Sequence, residues 1–259
     1  MYESDMGIVM RFLNRILLSN VNKAIVLSES LKNSFEGILP KHKIEIVSNC
    51  IDDEIFISEY EFDEKLQSID CLETVNILFL SNMIESKGYR TVLEISKICK
   101  ENRLEEYRFI FAGGFFSKAD EEYFFDFTKK HQLSETVEYK GIVTGLEKRE
   151  LLRGSHVFIL PTNYNKEGQP ISIIEAMADG MCIITTKHAG IPDLVTDREN
   201  GFLVPYGDYK KMYDKIREIS SDRGKLKEIY LNNRDKVKKY FLQEHYIKNL
   251  EKLFDDELI

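Results

Sequence analysis

The stretch Glu167-Gly168-Gln169-Pro170-Ile171-Ser172-Ile173-Ile174-Glu175-Ala176-Met177-Ala178-Asp179 decides how the rest of the chain is read. It begins with an acidic side chain in a turn marked by glycine and proline. Pro170 then opens a helix, because proline already holds the helical φ and lacks an N–H that would go unpaired in a first turn. The unpartnered N–H groups of that turn carry the positive end of the helix dipole, so the corner suits a phosphate or a polyhydroxylated ligand. One turn deeper, Glu175 stands among Ile171, Ile173, Ile174, Ala176, Met177 and Ala178, where a carboxylate is costly unless something hydrogen-bonds it. Ser172, Glu175 and Asp179, three and four apart, also fit the plain wet stripe of an amphipathic helix. The flanks favour a site. Phe158-Ile159-Leu160-Pro161 reads as a buried strand and Met181-Cys182-Ile183-Ile184-Thr185 as the next one. This strand–loop–helix–strand unit puts Glu167 and Glu175 at the C-terminal edge of a parallel sheet, where ligands bind in such folds.

Composition narrows the classes. With 259 residues the chain has room for one large domain or two small ones. A formal charge of -8 argues against a nucleic-acid partner, which wants a basic face. Cys50, Cys71, Cys99 and Cys182 show no zinc or redox spacing, so no metal site is implied and a reduced, cytoplasmic protein is the simplest reading. The acidic start Met1-Tyr2-Glu3-Ser4-Asp5 is unlike a signal peptide, and no apolar run approaches the ~20 residues of a membrane span.

Residues 6–19 have the periodicity of an amphipathic helix whose apolar face needs a partner. Lys23–Ser28 and Lys43–Val47 read as short strands around a helix over 29–36, too little for a domain. Residues 57–73 read as a polar excursion with little periodicity. Val75–Leu80 is a buried strand, and its loop leads to a helix starting near Lys87-Gly88, where a cation beside a helix start suits a phosphate; a solvated surface lysine is the plainer reading. Arg108–Ala112 is the next strand, closed by Gly113-Gly114. A helix over 119–130, a strand at Val137–Tyr139, a helix over 146–153 and a strand at His156–Leu160 follow. Beyond Pro205 the chain is helical and charged. His156 reads as structural; His188, in a loop near Gly190, is a candidate to line the cleft.

Glu167 and Glu175, separated by seven residues and followed by Gly190-Ile191-Pro192-Asp193-Leu194-Val195 and Asn200-Gly201-Phe202-Leu203-Val204, resemble the donor-site signature of glycosyltransferase family 4, retaining enzymes of GT-B fold. The resemblance implies an α/β fold: a Rossmann-like parallel sheet with helices on both faces, the C-terminal domain of a GT-B enzyme, plus a remnant of the first Rossmann-like domain. It implies that residues 1–49 are that acceptor-side remnant, 50–73 the interdomain crossover, 74–240 the nucleotide-sugar domain and 241–259 a helix crossing back. Ser48-Asn49-Cys50-Ile51-Asp52 resembles the family's crossover, with Cys50 replacing a glycine; Asp52 and Asp53 could be taken for metal-binding carboxylates, but their flanks do not fit. Asn82 stands where the family frequently has arginine, which places more weight on Lys87.

By resemblance, Lys87 meets the donor diphosphate, Glu167 helps to hold the donor sugar, and Glu175 accepts hydrogen bonds from the ribose. Lys87 and Glu167 are then the catalytic candidates. Asn82, Gly114, Gly168, Gln169, Pro170 and Ile171 complete the donor site, with Ile142 and Val143 in the turn that meets the base. The implied reaction transfers a sugar from a nucleotide diphosphate sugar to a hydroxyl of a glycan or lipid-linked acceptor without a metal or other cofactor, in glycan or polysaccharide assembly. A peripheral place at the inner face of a membrane is compatible with such an acceptor. A nucleotide-sugar epimerase of the same architecture would need further acids. Most of the first domain is expected to precede Met1, so this chain is a fragment, a donor-binding subunit completed by another polypeptide, or an inactive remnant.

Overall fold

The computed structural model describes residues 8–258; the first two positions of the expected 6–19 helix lie outside them. Strands with no polar face need cover on both sides, and this requirement shapes the molecule. The chain begins with α1 (Ile8–Leu17), β1 (Ala24–Val26), α2 (Glu29–Lys32) and β2 (Ile44–Ile46). It continues through α3 (Glu59–Ser68), β3 (Val75–Leu80), α4 (Tyr89–Glu101), β4 (Tyr107–Ala112), α5 (Lys118–Lys130), β5 (Val137–Gly141), α6 (Gly145–Arg153), β6 (Val157–Leu160) and α7 (Ile171–Ala178). The last elements are β7 (Cys182–Thr185), α8 (Ile191–Leu194), β8 (Gly201–Leu203), α9 (Tyr209–Ser221), α10 (Arg223–Tyr240) and α11 (Gln243–Leu258).

β6 and β7 are buried at every position, and β3 at all but Asn76. Strands of that kind sit in the middle of a parallel sheet under helices. The six-stranded sheet runs β5-β4-β3-β6-β7-β8, and every pairing in it is parallel. This is the α/β architecture expected from the sequence. Its helices are amphipathic: in α4, for instance, Tyr89, Val92, Leu93, Ser96 and Cys99 are buried at helical spacing.

β1 and β2 form a separate two-stranded parallel sheet over a small cluster of Val26, Ile38, Leu39 and Ile44. Asn49 ties this unit to the rest by hydrogen bonds to Gln169, and Asn249, Lys252 and Leu253 of α11 face Glu45, Ile46 and Val47 across a shallow cavity. α1 is the exception to burial. Phe12 is 64% exposed and Leu17 75%, with Met10, Leu13 and Ile16 also open to solvent.

Two local expectations need correction. Residues 57–73 are not an irregular excursion. Ser58 and Glu61 form a reciprocal capping box that starts α3, and a 3-10 turn at Ile69–Cys71 ends it. The helix shows little periodicity because its buried face is only Phe62 and Lys65, followed by Ile69. Pro170 does not occupy the first helical position; it is the N-cap of α7, with φ -64° and ψ 116°. Among the described residues, no helix is long and apolar enough to cross a membrane.

Candidate active site at the switch point of the sheet

β3 and β6 are neighbours, yet the chain leaves β3 toward β4 and β5 and leaves β6 toward β7 and β8. A crevice opens at such a reversal, outside the carboxyl ends of the two strands. The loop after β3 carries Asn82 and Lys87; the loop after β6 carries Glu167 through Pro170.

The two loops touch through a glycine. Gly88, the N-cap of α4, has φ 91°, and a Cβ there would lie 2.4 Å from the Pro161 carbonyl oxygen. That approach lets Lys87, in a 3-10 turn at Glu85–Lys87, cross the crevice. Its ammonium is 2.8 Å from Glu167 Oε2 and 4.9 Å from the centre of the Tyr164 ring. Thr162 Oγ1 donates to the same Glu167 oxygen at 3.1 Å. The loop is braced further: Asn163 N–H donates to the Ser86 carbonyl at 2.8 Å, and His188 Nε2 donates to the Tyr164 carbonyl at 2.7 Å. His188 therefore orients the loop with one ring nitrogen and keeps only Nδ1 for other duties.

Glu175 is 5% exposed on α7 and pairs with Lys148 of α6, whose ammonium is 2.6 Å from Oε1. Burial pushes its carboxyl above the ordinary value; the hydrogen bond and charge of Lys148 pull it back, and the Asp52 carboxylate pushes it up again. Lys87 thus contacts Glu167, while Glu175 is held by a different cation.

The remaining expected residues divide into rim and frame. Asn82, Gly114 and Ile142 converge: a Cβ on Gly114 would lie 3.3 Å from Ile142 Cδ1 and 3.9 Å from Asn82 Oδ1. Ile142 is 74% exposed, whereas Val143 beside it is buried. The neighbouring Gly113 has φ 136° and no room for a side chain, since its Cβ would meet the Ser81 carbonyl at 2.0 Å. Gln169 is buried and committed to Asn49: its Oε1 accepts the Asn49 N–H at 2.7 Å, and its carbonyl accepts Asn49 Nδ2 at 2.8 Å. Pro170 is buried and Ile171 half exposed. The Gly168 carbonyl accepts the Gly190 N–H at 2.9 Å.

Three contributors escape a reading of the sequence alone. Thr162 and Tyr164 lie in the loop leading to Glu167, but nothing in residue type marks them. Lys148 pairs with Glu175 across 27 positions, beyond any local spacing rule. His156 is structural: buried, it accepts the Asn76 N–H on Nδ1 at 3.0 Å. Asp52 caps its own turn by accepting the Glu54 N–H at 3.0 Å. Among the described residues, no group of three or more His, Cys, Asp or Glu could hold a metal ion.

Chemically, the crevice offers a mostly buried cation paired with Glu167 beside the start of α7, while Glu175, one turn along α7, is fixed by a second lysine. Such a set suits an anion beside hydroxyl groups. The glycosyltransferase WcaL of Escherichia coli K12, provisionally assigned to colanic acid biosynthesis, is 28% identical over 185 residues, which is 69% of this chain and 44% of WcaL. The amylovoran biosynthesis glycosyltransferase AmsK of Erwinia amylovora is 26% identical over 222 residues, 83% of this chain and 51% of AmsK. The chain spans about half the length of these curated relatives. The crystal structure of Anabaena Alr3699/HepE in complex with UDP shares the fold, with a TM-score of 0.78 at 16% identity, covering 95% of this chain and 68% of that one. The family model described as "Glycosyl transferases group 1" matches residues 65–237, from α3 into α10 and including every strand of the large sheet, so the chain belongs to the group 1 glycosyl transferases, of GT-B fold.

Proposed function

We propose that this chain is the donor-binding part of a retaining, family 4 glycosyltransferase that moves a sugar from a nucleotide diphosphate sugar to an acceptor hydroxyl in polysaccharide assembly. The observation that carries the reading is the contact between Lys87 and Glu167 across the switch point, at 2.8 Å. A diphosphate leaving group gathers negative charge as the glycosidic bond breaks, so catalysis needs fixed positive charge aimed at it. Lys87, held in place by Glu167 and Tyr164, and the N–H groups beginning α7 supply that charge without a metal. Glu167 positions the donor sugar, Glu175 accepts the ribose hydroxyls, and the turn at Ile142 and Val143 meets the base. The relatives' roles in colanic acid and amylovoran biosynthesis support a bacterial polysaccharide context, and HepE's crystallisation with UDP supports a uridine nucleotide.

A second reading has an observation in its favour. The exposed apolar side chains of α1, Phe12 and Leu17 foremost, suit cover by another polypeptide that would supply the acceptor side. On this reading the chain binds nucleotide but transfers sugar only when completed.

Thermal unfolding with UDP, GDP and ADP tests the proposal. One nucleotide is expected to raise the melting temperature with concentration, as linkage requires. Lys87→Ala should weaken its affinity by about 10- to 100-fold, as expected for a lost charge-assisted bond to phosphate. Binding unaffected by that substitution would remove the site assignment. Robust sugar transfer by this polypeptide alone would dismiss the second reading.

A further inference from the structure

Glu175 is held by a group that lies outside its own signature. Lys148 stands in the first turn of α6, and its ammonium is 2.6 Å from Glu175 Oε1. The two side chains are 23% and 6% exposed, so both charges are largely out of water. Local helix electrostatics do not account for the lysine. A cation in a first turn opposes the helix dipole, and Arg149 follows it directly. Net stability does not account for it either, because the attraction within a buried ion pair roughly offsets the desolvation of its charges. The other carboxylate oxygen differs. Oε2 accepts no hydrogen bond from a described residue, and it is not among the polar atoms shut away from solvent.

We propose that Lys148 is a positioning residue of the donor site: by binding Oε1 it keeps the Glu175 carboxylate ionised and leaves Oε2 as the oxygen that accepts ribose hydroxyls. This rests on the reading of Glu175 as the ribose-binding carboxylate. Two charged groups face Glu175, Lys148 from α6 and Asp52 from the segment after β2. Burial and Asp52 both disfavour the carboxylate, and only Lys148 favours it. With Lys148 removed, the carboxyl keeps its proton to higher pH. A protonated carboxyl loses acceptor capacity and becomes a donor on one oxygen. Nucleotide binding should then weaken as pH falls.

The test is calorimetric titration of UDP, GDP and ADP, in parallel, into wild type, Glu175→Ala, Lys148→Met, Lys148→Arg and Lys148→Met/Glu175→Gln over roughly pH 6 to 8. Circular dichroism and thermal unfolding at the upper pH establish that each variant is folded. The terminal phosphate of the nucleotide titrates near the lower end of this range, so every profile is read relative to wild type. Lys148→Arg is expected to run parallel to wild type. Relative to wild type, Lys148→Met should lose up to about tenfold for each pH unit below the raised Glu175 pKa, and the double variant should bind weakly with no added pH dependence. Lys148→Met with wild-type affinity and a profile parallel to wild type, beside a Glu175→Ala that binds poorly, would overturn the proposal while leaving the donor site standing. Glu175→Ala with undiminished affinity would instead remove the ribose reading, and the proposal with it.

Discussion

His156 shows how a single buried ring sets the response to acid. Its Nδ1 accepts the Asn76 N–H, so the ring is neutral with its proton on Nε2, and burial, helped by the charges of Lys65 and Arg223, pushes its pKa down to about 4. In the unfolded chain the imidazole titrates at about 6.5. Between those values the unfolded state takes up a proton that the native state refuses, so stability falls as pH drops from about 6.5 to about 4. The loss is about 3 kcal/mol, because each tenfold change in proton affinity between the two states is worth about 1.4 kcal/mol. Asp179 works in the opposite sense. Burial pushes its carboxyl up against the pull of Lys65, Arg234 and Arg149, and neither of its oxygens is hydrogen-bonded. The native state therefore holds an extra proton just above the ordinary carboxylate value, and acidification adds stability there. Because the two residues oppose each other, the wild-type profile alone isolates neither. Urea unfolding of wild type and His156→Gln at matched pH isolates the ring. The stability of wild type relative to the variant should decline steadily as pH falls from about 6.5 to about 4. A difference that stays constant would mean the native imidazole takes up its proton as readily as the unfolded one.

At the scale of elements, the junction between the loop after β3 and the start of α4 depends on one missing side chain. Gly88 needs glycine twice, for its φ of 91° and for the Pro161 carbonyl at 2.4 Å from where a Cβ would sit. Gly88→Ala should destabilise the protein by about 2 kcal/mol or more, since backbone strain and overpacking each cost on the order of 1–3 kcal/mol. By spreading the loops it should also weaken nucleotide binding at Lys87. Unfolding and titration of the same variant check both effects; unchanged values for the two would show that the loops tolerate separation. The Lys87-Gly88 pair stands out in the sequence for its family register, whereas the reason for the glycine lies in Pro161, 73 positions away. The same division runs through the fold. Continuous apolar runs such as Ile77–Leu80 and Met181–Ile184 announce buried strands whatever surrounds them, so the parallel sheet is legible. α3 is not, because a lysine occupies its buried stripe, although Ser58 and Glu61 carry a capping signal. Lys148 is invisible for a stronger reason: what matters about it is a carboxylate on another helix, and no periodicity encodes a pairing between elements.

Across the whole molecule, the start of α7 is also where the small N-terminal sheet is fastened to the large one. Asn49 makes two hydrogen bonds to Gln169, at 2.7 and 2.8 Å. Close by, the Ser30 N–H donates to Asp193 at 2.8 Å. A Cβ on Gly190 would stand 2.8 Å from Ser28 Oγ, and one on Gly168 would stand 3.2 Å from Leu27. The loop carrying Glu167 is therefore packed from behind by the β1–α2 segment, and its geometry depends on that packing. Gln169 then has two candidate duties, binding donor directly or holding the loop through Asn49, and its side-chain acceptor is already engaged in the second. Asn49→Ala should cost about 1–3 kcal/mol, the range for leaving a buried polar partner unsatisfied. It should also lower nucleotide affinity although its hydrogen bonds reach Gln169 alone among the expected donor-binding residues. The two bonds use different side chains, Asn49 Nδ2 on the Gln169 carbonyl and Gln169 Oε1 on the Asn49 N–H, so Asn49→Ala and Gln169→Ala each leave the other bond in place, and the double variant should lose more than either. Amide exchange at Ala24–Val26 should quicken in all three as the small sheet loosens. Gln169→Ala that loses affinity while amide exchange at Ala24–Val26 stays as in wild type would assign Gln169 its own contact with the donor, and Asn49→Ala that quickens exchange with affinity unchanged would leave Asn49 as a strut for the small sheet alone.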